Sequence, residues 1–259
     1  MEFKNIKIKI LCEKYGLITL TRERFYNAID DHTTNELIEA LNLFKEKKRV
    51  KVLIITGIGE KAFSSGGDLK RIRSKTCFDI LQTNLQDLCY QIENYYTPVI
   101  AAINGVAMGG GLELAMACDF RIAVSSTCFA LPETSLGLIP SAGGTQRLIR
   151  LIGEAKAKEV IMLGKRLTSN EAIEYGLISK IVNKEDLITE CIRISDTLSQ
   201  KSPMALYLSK MAINIGNKDN TYSGMQYEKM CQAVLMEYGD KQEGIEAFFS
   251  KRMPNFKEI

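Results

Sequence analysis

The amino-acid sequence predicts an α/β fold that ends in a helical region, and three observations support this prediction. Continuous apolar runs at 52–56, 99–103 and 120–124 have the length and composition of buried strands. Helical segments alternate with strands through the first two-thirds of the chain, which is typical of α/β folds. From about residue 187 onward the apolar spacing is helical, with no clear strand pattern.

The N-terminal part begins with two predicted strands and a helix. Residues 6–10 alternate isoleucine with lysine, and residues 16–20 also have the pattern of a strand. A helix is predicted from about residue 31 to 47, with Thr33 or Thr34 as candidate N-caps. Its apolar face consists of Leu37, Ala40, Leu41 and Phe44.

The C-terminal part is predicted to consist of helices. Asp186 precedes the first of them and is a residue type that commonly caps helix N-termini. We therefore expect a core of residues 1–198 followed by a helical region of residues 199–259. The predicted helices cover 187–200, 203–215, 222–236 and 240–251.

Composition excludes several classes of function. A chain of 259 residues with 46% hydrophobic and 25% charged residues is an ordinary soluble globular protein. Its 34 Lys+Arg against 31 Asp+Glu give a net charge of +3, which argues against a nucleic-acid partner. The apolar stretch 98–118 carries Asn104, Glu113 and four glycines, which argues against a membrane span. The N-terminal residues also lack the pattern of a secretory signal, so a cytoplasmic location is expected.

Cysteine and histidine usage argues against a metal site. The seven cysteines occur singly, without a Cys-x-x-Cys pair, and are predicted to be reduced core thiols of a cytosolic protein. The single histidine, His32, lies in a helix-entry turn and is predicted to be at the surface. A zinc enzyme usually needs two or three such ligands, and a Ser-His-Asp triad needs its histidine beside a nucleophile. No metal ligands are therefore predicted.

Three segments, 61–69, 104–115 and 129–146, are unusually rich in glycine or polar residues for their apolar surroundings. The second has the pattern of a strand, a glycine turn and a helix. The first N–H groups of a helix have no internal partner and suit an anion, including a charge that develops during a reaction. Glu113 follows Gly110 by three residues, so its side chain should face the same small volume.

Other interpretations of this segment stay open from the residues alone. Three successive glycines before a helix also permit close packing of the helix on a strand. Glu113 could be a solvated helix residue, although its apolar neighbours favour a buried, functional carboxylate. The spacing Gly105-x-x-x-Gly109-Gly110-Gly111 does not fit a dinucleotide-binding loop. The residues alone do not link Glu133 to any other group of the predicted site.

With these segments in view, the chain resembles the enoyl-CoA hydratase/isomerase (crotonase) family nearly from end to end. The resemblance implies a crotonase (ClpP-like) spiral of repeated ββα units with a C-terminal helical trimerisation region. The motifs that carry it are 22–28, 54–57, the three segments above, Gly143-Gly144-Thr145-Gln146-Arg147-Leu148, Leu163-Gly164-Lys165-Arg166, Ala172-x-x-x-Gly176-Leu177 and Phe248-Phe249-Ser250-Lys251-Arg252.

The resemblance implies the catalytic set of an enoyl-CoA hydratase. The two glutamates of the family fall on Glu113 and Glu133, and the backbone N–H donors of its oxyanion hole fall on Gly67 and Gly110. The substrate would be a coenzyme A thioester, so no separate cofactor is implied. The resemblance implies trimers, often paired as hexamers, in which Phe248 and Lys251 contact CoA bound by a neighbouring subunit. The remaining expected substrate-binding residues are Ala62, Ser64, Ser65, Asp68, Leu69, Met108, Leu136, Pro140, Ser141 and Gly144.

Three departures from the family pattern leave these groups in place. Ser141 stands where glycine is frequent, Gly67 where alanine is common, and 21–23 lacks the proline of the family's Asn-Arg-Pro pattern. The alternatives are a Δ3–Δ2 enoyl-CoA isomerase and a hydratase of branched, dicarboxylic or carrier-bound acyl groups. A non-catalytic CoA- or RNA-binding relative is a further alternative, because one fold can host unrelated functions.

Overall fold

The computed structural model describes residues 3–47, 49–82, 84–218 and 221–256. The strands in these ranges are β1 (Ile6–Leu11), β2 (Tyr15–Leu20), β3 (Val52–Gly57), β4 (Ala62–Ser64), β5 (Val99–Ile103), β6 (Val106–Met108), β7 (Phe120–Val124), β8 (Cys128–Ala130), β9 (Leu167–Thr168) and β10 (Lys180–Val182).

The helices extend to the end of the described chain. They are α1 (Asp31–Glu46), α2 (Leu69–Ile72), α3 (Cys77–Leu81), α4 (Asn84–Glu93), α5 (Gly110–Ala117), α6 (Gly144–Met162), α7 (Ser169–Glu174), α8 (Leu187–Ser199), α9 (Pro203–Lys218), α10 (Thr221–Glu237) and α11 (Gly239–Phe249). Short 3-10 turns lie at Glu23–Phe25, Glu133–Leu136 and Lys184–Asp186. Helix α6 is broken at Gly153, whose φ is 77° and ψ is 161°.

The strands form two sheets that share a repeating connectivity. Among the described residues the larger sheet has the order β1-β2-β3-β5-β7-β10, and the smaller has the order β4-β6-β8-β9. Each of β3, β5 and β7 is followed by a short strand of the smaller sheet and then by helix. The predicted spiral of ββα units with helices at the C-terminus is therefore confirmed.

The central strands β3, β5 and β7 of the larger sheet are buried on both faces, which explains their continuous apolar composition. One face packs on α8, where Leu187 and Cys191 contact side chains of β3 and β5. The opposite face packs on the main core, which includes Leu37 of α1, Leu88 of α4 and Leu114 of α5. The parallel registers of β2, β3, β5 and β7 place the loops that follow these strands at one edge of the sheet.

Several local predictions need correction. Helix α1 is capped by Asp30, whose side chain accepts from the Thr33 N–H, so the predicted caps Thr33 and Thr34 lie inside the first turn. Asp186 occupies the N-cap position of α8, but its side chain makes no capping hydrogen bond. Two of the seven free cysteines, Cys12 and Cys77, are exposed and do not belong to the core.

Other local predictions are confirmed. His32 lies at the surface, with 56% of its side chain exposed and its Nε2 3.2 Å from a Glu36 oxygen. From α8 onward the described chain is helical. No helix in the described ranges is both long and apolar enough to cross a membrane. The boundary after residue 198 falls in the last turn of α8, and the division into two domains stays a prediction.

Candidate active site

The turn between β6 and α5 presents a bare helix N-terminus. Gly109 is the N-cap of α5, and its φ of 50° with ψ of −131° is a conformation that glycine adopts without a Cβ clash. The Gly109 N–H donates to the Ala130 carbonyl, which anchors the turn to β8. Gly110 is the first helical residue, so its N–H has no acceptor within the helix.

Gly67 lies directly opposite this N-terminus. It forms an isolated bridge with Ile29, in which Ile29 donates to the Gly66 carbonyl and Asp68 donates to the Ile29 carbonyl. That pattern does not use the Gly67 N–H. The Gly67 nitrogen lies 3.6 Å from the point where a Cβ on Gly110 would stand. The two predicted donors therefore meet at one small volume.

The third glycine of the triplet serves packing. A Cβ on Gly111 would lie 2.5 Å from the Ser64 carbonyl oxygen of β4, which is closer than any such contact can be. Gly111 thus allows α5 to lie directly on the smaller sheet. The triplet therefore serves both purposes considered above, but through different glycines. Gly110 provides an N–H group without a partner in the helix, and Gly111 permits close packing of the helix on the strand.

Glu113 lies almost entirely inside the protein, at 3% exposure. Its Oε1 accepts the Ala142 N–H at 2.7 Å and the Gly144 N–H at 2.8 Å. Its Oε2 lies 4.0 Å from the Cβ position of Gly110 and so faces the donor pair. Oε1 holds the carboxylate in place, and Oε2 is turned toward the reacting volume.

Opposing effects set the pKa of Glu113. Burial and the nearby Glu133 carboxylate raise the pKa, while the N–H groups of Gly144 and Ala142 and the Arg147 guanidinium lower it. The result is a pKa of about 7, against an ordinary value of 4.5. A carboxylate with a pKa near neutrality can both take and return a proton, which is the property of a general base.

Glu133 begins the 3-10 turn Glu133–Leu136, which follows β8. Its Oε1 lies 2.9 Å from the point where a Cβ on Gly109 would stand. Its Oε2 is buried and has no hydrogen-bond partner within the described residues. Burial raises the pKa of this carboxyl as well. Gly109 and Gly110 are adjacent in one turn, and they therefore lie beside Glu133 and Glu113, respectively.

Together these groups can stabilise a developing oxyanion and move protons beside it. The backbone nitrogens of Gly67 and Gly110 border a small volume, and two carboxyls with raised pKa values lie beside the same turn. In the described ranges no group of three or more His, Cys, Asp and Glu side chains has the arrangement of a metal site.

The structure adds groups at the site that the sequence interpretation missed. The side chains of Ile72 in α2 and Leu85 in α4 approach the Cβ positions of Gly67 and Gly110 to 2.7 and 3.0 Å, so apolar groups border the donor pair. Ala142 supplies one of the two hydrogen bonds to Glu113. The only sequence signal for Ala142 was its place before Gly143-Gly144, at the start of α6.

The other predicted binding residues occupy varied positions. Asp68 caps α2 and pairs with Arg22 at 2.9 Å, so its carboxylate holds the segment after Gly67 in place. Phe248 lies in the last turn of α11 and Lys251 in the turn that follows this helix, and both are exposed. Within the described residues of one chain, neither Phe248 nor Lys251 is bonded to Glu113 or Glu133. Ala62, Ser64, Pro140 and Gly144 are buried, Met108 is partly buried, and Ser65, Leu69, Leu136 and Ser141 have larger exposed fractions.

Comparison with known proteins places this site in a family. The sequence model described as enoyl-CoA hydratase/isomerase matches residues 13–259. The chain belongs to the enoyl-CoA hydratase/isomerase family.

Individual relatives agree with this assignment. A probable mitochondrial enoyl-CoA hydratase of Dictyostelium discoideum is 39% identical over 243 residues, which cover 94% of this chain and 87% of that protein. A crotonyl-CoA hydratase of Syntrophomonas wolfei is 37% identical over 246 residues, covering 94% and 95%. The crystal structure of an enoyl-CoA hydratase from Bacillus anthracis superposes with a TM-score of 0.93 at 39% identity, covering 98% of this chain and 99% of that one.

Proposed function

We propose that this protein is an enoyl-CoA hydratase that adds water across the C2=C3 bond of a 2-enoyl-CoA. The observation that carries the proposal is the pair of glutamates, the buried Glu113 and the partly buried Glu133, which lie beside adjacent glycines at the N-terminus of α5. Water addition needs a base at the attacking water and an acid at C2, and two carboxyls supply both.

Substrate activation is assigned to the backbone. The thioester oxygen accepts hydrogen bonds from the N–H groups of Gly67 and Gly110, which draws electron density from the C=C bond. As water attacks C3, negative charge grows on this oxygen. The two donors and the positive end of α5 stabilise it, each donor by roughly 3 kcal/mol.

The carboxyls divide the proton transfers. Glu113, ionised and fixed through Oε1, takes a proton from water through Oε2. Glu133 lies beside Gly109 of the same turn and supplies the proton at C2. After release of the 3-hydroxyacyl-CoA product, the proton taken by Glu113 is lost to solvent and Glu133 is protonated again. This scheme uses no metal or redox cofactor.

Binding of the rest of the substrate is also a proposal. Ile72 and Leu85 border the acyl group, and the predicted residues of the first and third segments hold the pantetheine and the thioester. Phe248 and Lys251 of a neighbouring subunit in a trimer, or in a dimer of trimers, contact the nucleotide part of CoA. A cytoplasmic location stays an expectation from the sequence.

The proposal is tested by a panel of purified acyl-CoA substrates. The protein should convert 2-enoyl-CoA thioesters of several chain lengths to 3-hydroxyacyl-CoA, measured as loss of the enoyl thioester absorbance. A parallel assay with 3-enoyl-CoA measures isomerisation. Turnover in the second assay alone would assign the site to an isomerase, and salt-dependent RNA binding without turnover would favour a non-catalytic role.

A further inference from the structure

An ion pair lies behind Glu113 and takes no part in the proposed chemistry. Arg147, in the first turns of α6, donates through Nη2 to Glu93 of α4 at 3.1 Å. Both side chains are largely buried, with 11% and 17% exposed. The other arm of the guanidinium, Nη1, donates to the Ala142 carbonyl at 2.9 Å. A buried arginine that binds one carboxylate and one backbone carbonyl fixes the position of both.

The backbone held by Arg147 is the backbone that binds Glu113. The Ala142 N–H donates to Glu113 Oε1, and the Ala142 carbonyl accepts from Arg147. Gly144 supplies the second N–H to the same oxygen. Between them Gly143 has a φ of 97°, and a Cβ there would overlap the Arg147 guanidinium. Residues 142–144 therefore wrap around the guanidinium on one side and around Glu113 on the other.

We propose that Arg147 is a positioning residue for the hydration reaction, acting through the turn of residues 142–144 to hold Glu113 with Oε2 directed at the donor pair. This inference rests on the proposed function. The chain of contacts runs from Glu93 through Arg147 and Ala142 to Glu113, and only Glu113 of these residues touches the reacting atoms.

Arg147 also influences the charge state of Glu113. Among the residues that the structure describes, the titratable and charged groups that face Glu113 are Glu133 from the 3-10 turn, Arg147 from α6 and Cys89 from α4, with Glu93 behind Arg147. Among them Arg147 is the only cation, and it favours the ionised carboxylate that the base requires. Loss of this cation and of the fixed turn therefore impairs both the geometry and the ionisation of Glu113.

The experiment compares variants at Arg147 with a matched control. Arg147→Lys keeps the positive charge but cannot bind Ala142 and Glu93 with two arms at once. Arg147→Gln combined with Glu93→Gln removes the charge without leaving Glu93 unpaired, so the protein can still fold. Arg150→Gln is the control, because Arg150 is exposed on the same helix three residues further on.

Both variants at Arg147 should lower kcat by about 10²-fold while KM changes little, since misplacement of a catalytic group affects the reaction step. The acidic limb of kcat/KM should move to higher pH in the double variant, stay near the wild-type position in Arg147→Lys, and not move in Arg150→Gln. Wild-type kcat and pH dependence in the folded Arg147 variants would overturn the proposal, even if their stability were lower.

A second readout needs no substrate. The difference in unfolding free energy between each protein and its Glu113→Gln derivative, followed against pH, reports the ionisation of Glu113. We expect this transition to move to higher pH in the double variant. If the wild type hydrates no substrate, the proposed function fails. If the transition still moves in that case, the role of Arg147 in positioning and ionising Glu113 stands. An unmoved transition would overturn that role.

Discussion

Two carboxyls of one chemical type have different hydrogen-bond partners in this site. Glu113 is bound by two backbone N–H groups at the N-terminus of α6, which favour its ionised form. The buried Oε2 of Glu133 has no such partner in the described ranges, which favours its protonated form. Because burial raises the pKa of both carboxyls, the proposed division into base and acid rests on these different partners and on the different glycines that the two carboxyls face.

Substitution separates the two tasks. Glu113→Gln should lower the hydration rate by about 10²- to 10⁴-fold, because glutamine cannot take a proton from water. Any isomerisation of a 3-enoyl-CoA in the wild type should persist in this variant, since Glu133 can carry the proton. Glu133→Gln should remove both activities. Equal loss of isomerisation in the two variants would contradict the division of tasks. The two assays with purified variants measure it.

Glu113 should make stability depend on pH. Its pKa rises from an ordinary 4.5 to about 7 on folding, so the folded state binds the proton more tightly than the unfolded chain does. The associated stability is fully present below pH 4.5 and is lost as pH rises through about 7. The loss is on the order of 3 kcal/mol.

Glu113→Gln should therefore be more stable than the wild type in alkaline solution and similar to it in acid. Denaturant unfolding at about pH 5 and about pH 8.5 measures the difference. Equal stability of the two proteins at both pH values would mean that burial does not raise the pKa of Glu113.

Two helix N-termini lie beside different groups of the site. The N-terminus of α5 faces the volume where the thioester oxygen is proposed to lie. The N-terminus of α6, at Gly144, faces Glu113, the proposed general base. Each helix follows a turn that contains a glycine with positive φ, Gly109 before α5 and Gly143 before α6. Such glycines let the backbone turn sharply and direct its N–H groups inward.

The glycine triplet allows these uses to be separated by mutation. Gly110→Ala places a methyl group between Leu85 and the Gly67 nitrogen, so we expect kcat to fall by about 10²-fold. Gly111→Ala forces α5 away from Ser64 and should destabilise the fold by about 1–3 kcal/mol. Gly239→Ala is the control, because nothing lies within 4 Å of its Cβ position. Thermal unfolding and steady-state kinetics distinguish the effects, and full activity of Gly110→Ala would contradict the oxyanion assignment.

Periodic elements could be predicted from the sequence, because burial on both faces gives β3 and β5 an unbroken apolar composition. The cap of α1 could not, because Asp30 and Thr33 are both good caps and only the backbone decides between them. Glu113 could be placed by its spacing from Gly110. The link from Glu133 to the same turn depends on the pairing of β6 with β8, which no local pattern encodes.

The C-terminal helices expose several large apolar side chains to solvent. Phe248 and Phe249 at the end of α11 are 79% and 78% exposed, and Met230 of α10 is 67% exposed. Exposed apolar surface of this kind is typical of an interface. An oligomer is therefore expected, and for the trimer or dimer of trimers that the family resemblance implies, light scattering should detect a particle of three or six chains. A stable monomer of 29.0 kDa would contradict the proposed roles of Phe248 and Lys251.

In the proposed reaction, Glu113 and Glu133 deliver water to C3 of an enoyl thioester held by Gly67 and Gly110. Incubation of crotonyl-CoA with the protein in heavy-oxygen water, followed by mass spectrometry of the product, measures this delivery directly. We predict one heavy oxygen in the C3 hydroxyl group with the wild type. With Glu113→Gln or Glu133→Gln only trace labelling should occur. An unlabelled substrate after prolonged incubation with the folded wild-type protein, or full labelling by either variant, would contradict the account.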